Sequence, residues 1–314
     1  MNELPKIIVI LGPTGSGKTD MGIGIAKKFN GEVVSADSRQ IYKGMDIGTA
    51  KPEGKLLDDA YVVGGMPHYL MGIVNPDESF TLADFKQLAI ARIHEILGRK
   101  KLPIIVGGTG LYIQSVVENL DMPKVVPDMQ LRSDLEARSP ADRIGMLKKI
   151  DPDSAARMDL NNPRRVLRAL EVALTTGGSF YNQRKKGKPL FDVLEIGIRL
   201  PRPESNAGLD LRVDRQIKEG LVDEVKNLSK KYSWDLPSMS GIGYKQVGYY
   251  LRGQMGLEDA VEEIKKDTRR YAKRQMTWFK RDKKINWLDG ADLQKAEELV
   301  RNFINDAGER NGLL

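Results

Sequence analysis

Residues 6–19 read Lys6-Ile7-Ile8-Val9-Ile10-Leu11-Gly12-Pro13-Thr14-Gly15-Ser16-Gly17-Lys18-Thr19. A short, β-branched apolar run ends at a glycine, and GPTGSGKT at 12–19 fits the pattern G-x-x-x-x-G-K-[ST]. That pattern needs a strand before it and a helix after it. Residues 6–11 read as a buried strand, and Lys18 to Phe29 reads as the helix. Such glycines let backbone N–H groups converge on phosphate oxygens, and the helix N-terminus adds partial positive charge. Lys18 supplies a mobile cation for the terminal phosphate, and the Thr19 hydroxyl can ligate Mg²⁺. An ordinary Gly-rich turn is the alternative. The pattern recognises a diphosphate without saying what is attached to it: ATP, GTP or another diphosphate ester.

Outward from this loop, Glu32 to Ala36 reads as a second strand and Ser79 to Leu97 as a helix. Phe85, Leu88, Ala89, Ile93, Ile96 and Leu97 form its apolar stripe. Leu102 to Val106 is a third strand, followed by Gly107-Gly108-Thr109-Gly110. Strands separated by helices imply an α/β fold, a parallel sheet of the phosphate-loop type flanked by helices. Ligands gather at the carboxyl ends of such strands, so Asp37, just past the second strand, is expected near the phosphate loop. It could hold Mg²⁺ through water, act as a general base, or simply cap a turn. No four-residue apolar strand ending in Asp is evident, which speaks against an ordinary ATPase.

Past Asn119 the strand signals fade, and Pro123, Pro127, Pro140, Pro152 and Pro163 punctuate short helical stretches. Asn162 reads as an N-cap with Pro163 at the first helical position, and Gly177-Gly178 ends that helix. Tyr181 to Pro189 is a polar linker, and Leu194, Ile196, Ile198 and Leu200 alternate as a strand returning to the sheet. The expected organisation is a core of residues 1–118 plus 194–314 with a mostly helical insertion at 119–193. The C-terminal region is helical: residues 257–281 are one amphipathic helix, Trp287 sits in a short strand, and 291–305 is the last helix.

Composition narrows the function. Of the 314 residues 40% are hydrophobic and 30% charged, and there is no cysteine, which excludes disulfide scaffolds, Cys-ligated metals and thiol nucleophiles. Two histidines, His68 and His94, cannot build a multi-imidazole site. His94 falls on a polar helix face, and no role is assigned to His68. Met21, Met66 and Met71 read as core. The apolar run at 7–11 is too short to cross a membrane and lacks signal-peptide flanks, so a cytoplasmic address is expected.

A net charge of +7, from 50 Lys+Arg against 43 Asp+Glu, favours a polyanionic partner. Two surfaces carry the bases. Arg164, Arg165 and Arg168 share one helix face opposite Val166, Leu167 and Leu170. Residues 265–284 hold ten Lys/Arg and two Asp. A solvated helix face is the plain reading of such a run. Scarce acids, interleaved Tyr271, Trp278 and Phe279, and an excess matching the whole chain's argue for nucleic acid. RNA with accessible bases fits better than duplex DNA, since no groove-reading motif is present.

The motifs together resemble the bacterial tRNA dimethylallyltransferase (tRNA isopentenyltransferase) family. The resemblance runs through GPTGSGKT at 12–19, SADSRQIYKGMDIGTAKP at 35–52, GGTGLYI at 107–113 and NNPRRVLRALE at 161–171. It continues through RVDRQIKEG at 212–220, GIGYKQ at 241–246 and TRRYAKRQMTWFKR at 268–281. It implies a transferase that moves the dimethylallyl group from dimethylallyl diphosphate to N6 of the adenosine at position 37 of tRNA, beside the anticodon, releasing pyrophosphate. By that resemblance the loop Gly12, Pro13, Thr14, Gly15, Ser16, Gly17, Lys18 and Thr19 holds the donor's diphosphate rather than ATP. Asp37 is the general base, Arg215 contacts the leaving pyrophosphate beside Lys18, and Thr19 serves Mg²⁺. Asp37, Ser38, Arg39 and Gln40, with Thr109, match tRNA-contacting stretches. So do Arg164, Arg165, Val166, Leu167 and Arg168, and Gly241, Ile242, Gly243, Tyr244, Lys245 and Gln246. The insertion and the basic helix, with Arg269, Arg270, Lys273 and Arg274, would grip the anticodon stem-loop, and a monomer suffices. The eukaryotic relatives' zinc finger is absent, as a chain without cysteine demands. The competing readings are a phosphate-loop small-molecule kinase or NTPase, an isopentenyltransferase using free AMP or ADP, and a non-catalytic RNA-binding protein.

Overall fold

The run Ile7–Leu11 is almost entirely buried, as a strand covered on both faces must be. It belongs to β1 (Lys6–Leu11) in a computed structural model that describes residues 3–121, 125, 128–183 and 185–309. Pro123 and Pro127 lie outside the described residues. The chain continues through α1 (Lys18–Lys28), β2 (Gly31–Ser35), β3 (Lys55–Leu57), β4 (Ala60–Val63) and β5 (Met66–Tyr69). Next come α2 (Leu82–Gly98), β6 (Leu102–Gly107) and α3 (Gly110–Val117). Four helices follow: α4 (Met129–Glu136), α5 (Pro140–Ile150), α6 (Pro152–Arg157) and α7 (Pro163–Thr176). The chain closes with β7 (Asp192–Arg199), α8 (Arg202–Lys218), α9 (Leu221–Ser229), α10 (Tyr244–Leu251), α11 (Leu257–Phe279), β8 (Asn286–Asp289) and α12 (Leu293–Glu309).

One sheet takes the order β3-β4-β5-β2-β6-β1-β7-β8. Every pairing from β5 to β8 is parallel, and β3 and β4 add an antiparallel edge. The alternating run at 194–200 does return to the sheet. It lies between β1 and β8, so Glu195 and Gly197 are buried along with the apolar residues. Ile8, Ile10, Ile104 and Ile196 pack with Ile25 of α1 and Val300 of α12 into the main core. The α2 helix begins at Leu82 rather than Ser79 because Thr81 caps it, its side chain accepting from the Asp84 N–H. Leu88 of the expected stripe is exposed. The hairpin 55–69 carried no expectation at all. Its strands are short, β3 is fully exposed, and its turns show only as Asp58 and Gly64-Gly65, all at positive φ.

The chain divides into two compact units, Met1–Val116 with Leu190–Leu314, and Val117–Pro189. The second is helical. Leu135, Leu147, Val166, Leu167 and Leu170 form its core. Asn162 caps α7 by accepting from the Arg165 N–H, and Gly177 at φ 67 ends it. Val166 and Leu167, expected among the RNA-contacting side chains, are therefore internal: they sit on the apolar face of α7. Glu171 is fully buried and receives Arg132, Arg168 and the Asp128 N–H. Arg168 is thus committed to that carboxylate, whereas Arg164 and Arg165 are exposed. No helix among the described residues is long and apolar enough to cross a membrane.

Candidate active site

The loop after β1 turns into α1 at Gly17, whose φ of 85 favours glycine and where a Cβ would lie 2.9 Å from that of Ala291. Lys18 reaches back, its Nζ donating to the Pro13 carbonyl at 2.6 Å. Burial lowers its pKa to about 8; the Asp37 charge opposes that shift and Arg212 adds to it. The Ser16 hydroxyl is buried with no partner among the described residues.

Two arginines of α8 stand at this site, Arg212 and the expected Arg215. From α8, Arg212 Nη1 donates to Thr14 Oγ1 at 2.7 Å. Arg215 lines the same cavity, but its side chain is 68% exposed and lies 3.6 Å from Glu219. Three residues apart on one helix, the two share a face, and of the pair it is Arg212 that bonds to the loop. Gln275 of α11 was not anticipated as a site residue. Its Oε1 accepts from the Thr14 N–H at 2.9 Å and its Nε2 donates to the Gly108 carbonyl at 2.8 Å, bracing the two glycine-rich loops. The signal was a polar residue inside an otherwise apolar helical stripe.

Asp37 follows β2. Its Oδ1 accepts from the N–H groups of Arg39 at 2.8 Å and Gln40 at 3.3 Å, so the carboxylate does cap a turn. Its Oδ2 has no hydrogen-bond partner among the described residues. Thr109 Oγ1 accepts from the Ser38 N–H at 3.0 Å, and Arg39 donates to the Pro237 carbonyl. Tyr271 lies nearby: burial, then the Asp37 charge, pushes its pKa up to about 12, and it stays a neutral phenol.

Phosphate loop, Asp37, Arg212 and residues 240–244 line one cavity of about 670 Å³. That is the size of a small-molecule site. His68 also lines it; its Nδ1 is 2.9 Å from the Met66 carbonyl, Nε2 has no partner, and burial pushes its pKa down. Within 241–246 the roles divide. Tyr244 is buried with its hydroxyl on Glu224, and Gln246 is buried between the Gly243 N–H and Asp267, so these two side chains support the segment from within. Lys245 is exposed.

The basic helix needs a correction. The acids expected to be scarce are present, two of them on α8: Asp214 and Glu262 pair Lys265, Glu263 pairs Lys266, Asp210 pairs Arg269, and Asp267 pairs Arg270. Phe279 is core, not surface. Lys273, Arg274, Trp278 and Arg281 remain around a shallow groove of about 390 Å³.

The described residues hold no cluster of three or more His, Cys, Asp or Glu able to bind a metal. Thr19 and Asp37, both on the cavity wall, supply oxygen donors of the kind Mg²⁺ uses when substrate phosphates and water complete its shell. The residues present therefore fit that ion.

An anion cradle and a carboxylate with one oxygen unpaired, opening into one cavity at the carboxyl end of a parallel sheet, make this a phosphate-loop α/β protein equipped for group transfer. The chain belongs to the IPP transferase family, whose model matches residues 40–282. It is 43% identical over 308 residues to a tRNA dimethylallyltransferase of Acetivibrio thermocellus, covering 96% of each chain. It is 42% identical over 302 residues to one of Bacillus cytotoxicus, covering 94% of each. Among solved structures it is similar to the full-length tRNA isopentenylpyrophosphate transferase of Bacillus halodurans, with a TM-score of 0.72 and 36% identity over 98% of this chain and 99% of that one. It is also similar to a eukaryotic dimethylallyltransferase acting on tRNA, with a TM-score of 0.80 and 32% identity over 96% of this chain and 80% of that one.

Proposed function

We infer that this chain is a tRNA dimethylallyltransferase, moving the dimethylallyl group from its diphosphate to N6 of the adenosine at position 37 of tRNA. The observation that carries the chemistry is the meeting of Asp37 with the phosphate loop and Arg212 in one cavity. We propose that it works as a monomer in the cytoplasm, where its RNA substrate is found.

An exocyclic amine is a poor nucleophile because its lone pair is delocalised into the ring. A carboxylate taking its proton as the C–N bond forms lowers the barrier, and the unpaired Oδ2 of Asp37 fills that role. Pyrophosphate leaves from an allylic carbon, so positive charge spreads over the hydrocarbon while negative charge builds on the phosphates. Loop N–H groups, Lys18 and Arg212 meet that negative charge, with Arg215 on the same cavity wall. Mg²⁺, held by Thr19 and the donor's phosphates, would add further charge stabilisation. The target base has to leave its stack to reach the cavity. β6 ends in Gly107 without an acid, as suits a loop that holds a leaving group rather than hydrolysing ATP.

The test mixes enzyme, Mg²⁺, dimethylallyl diphosphate and unmodified tRNA, then analyses nucleosides by mass spectrometry. An adenosine heavier by one dimethylallyl group is expected only with donor and enzyme together. Asp37→Asn should lower turnover about 10³-fold while donor affinity holds. Product from AMP without tRNA, or ATP turnover without prenylation, would replace the assignment.

A further inference from the structure

We propose that Glu224, on α9, is a positioning residue that sets where Asp37 stands. The proposal rests on Asp37 being the base. The Glu224 carboxylate accepts from three successive backbone N–H groups: Asp46 at 3.0 Å and Ile47 at 2.7 Å on Oε2, and Gly48 at 3.1 Å on Oε1. The Tyr244 hydroxyl donates to the same Oε1 at 2.6 Å. Three converging N–H groups make a nest for an anion, and here the anion is the protein's own. From α8, Gln216 Nε2 donates to the Ile47 carbonyl, fixing the same peptide from its other side.

The pinned segment runs into the site. Gln40 Nε2 donates to the carbonyls of Thr49 at 3.2 Å and Ala50 at 3.1 Å, and the Gln40 N–H donates to Asp37 Oδ1. A continuous relay thus leads from Glu224 through residues 46–50 and Gln40 to the carboxylate, and Gly48, Thr49, Ala50 and Gln40 all line the cavity. The phosphate loop and Arg212 stand outside this relay. Their bonds run to Pro13, Thr14 and Gly108 instead. Loss of Glu224 should therefore displace the base and spare the diphosphate.

Four donors on one carboxylate use its acceptor capacity, and an amide cannot match it. Glu224→Gln keeps the shape but turns an NH₂ towards N–H groups, leaving donors unmet. Gln40→Met cuts the far end of the relay at a half-buried side chain and leaves Glu224 in place. The assay uses the full chain with dimethylallyl diphosphate and tRNA, normalised to the folded fraction from thermal melts.

Glu224→Gln is expected to lower kcat about 30-fold with donor Kd and tRNA KM within about threefold of wild type, and Gln40→Met to lower kcat about tenfold with donor Kd held within the same range, since sub-ångström misplacement costs rate before binding. The double variant should match Glu224→Gln alone within about twofold, because both act through one route. Wild-type kcat per folded molecule in either variant overturns the proposal, and so does multiplication of the two losses. Parallel weakening of donor binding also overturns it, by showing a general structural role. The base reading fails separately, by turnover surviving in Asp37→Asn.

Discussion

The phosphate loop, with Lys18 and its backbone N–H groups, and the basic helix α11 both offer positive charge, and both are served by α8, with opposite results. α8 hands Arg212 to the phosphate loop, adding a second cation beside Lys18. It hands Asp210 and Asp214 to α11, neutralising Arg269 and Lys265 there. The loop's charge arises from contiguous residues and backbone N–H groups, so its meaning travels with the motif. The helix's charge is one side of ion pairs whose other side comes partly from elsewhere in the chain. A run of lysines and arginines states what could be offered to RNA, and the fold decides how much is left to offer.

The contrast breaks most directly on α8. Arg212→Gln should weaken donor binding about 100-fold, since it removes a charge-assisted contact from a partly desolvated site. Arg215→Gln, on an exposed side chain, should stay within about threefold. Titration of both variants with dimethylallyl diphosphate reads the ranking, and the reverse order would return the phosphate-facing role to Arg215.

A smaller effect sharpens the phosphate side. The Lys18 pKa of about 8 leaves the free enzyme's ammonium charged below that pH and increasingly neutral above it. A diphosphate prefers the charged form. Donor binding should then weaken as pH rises through about 8, by up to tenfold per unit, with a proton taken up on binding. Calorimetry at pH 8.5 in buffers of different ionisation enthalpy measures that proton; no uptake would mean Lys18 is not the titrating group.

The smallest effect lies on α11. Exchanging Lys273 and Arg274 together for glutamine should flatten the dependence of log tRNA affinity on log salt by about 1 to 2. The same exchange at Lys265 and Arg269 should leave the slope nearly unchanged, because those charges are already paired. Equal slopes for the two double variants would show that the ion pairs open when RNA binds.

What could be read in advance follows from the same contrast. β1, α1, β2 and β6 were legible because buried parallel strands and a phosphate loop write themselves in consecutive residues. The β3–β5 hairpin was not, since strands of three or four residues with an exposed edge carry no period to detect. Asp37 was found from its place after a strand. The choice between Arg212 and Arg215 could not be made from spacing, because both fall within one helical turn and only the packing of α8 separates them. Gln275 lies within a helix legible only as amphipathic, and its two bonds to loop backbone show only in three dimensions. The nest around Glu224 was invisible for a deeper reason: its donors are peptide N–H groups, which every residue but proline has.

Gly48 and Tyr244 carry a consequence for how such a chain can vary. A Cβ on Gly48 would fall 2.5 Å from two atoms of the Tyr244 ring, so a side chain there requires that ring to shift. Two positions far apart along the chain are thereby joined into one unit of inheritance. A substitution at 48 needs the ring at 244 to move or shrink, and a smaller residue at 244 gives up the hydroxyl on Glu224. Change at either position therefore bears on the other and, through Glu224, on the segment that lines the cavity.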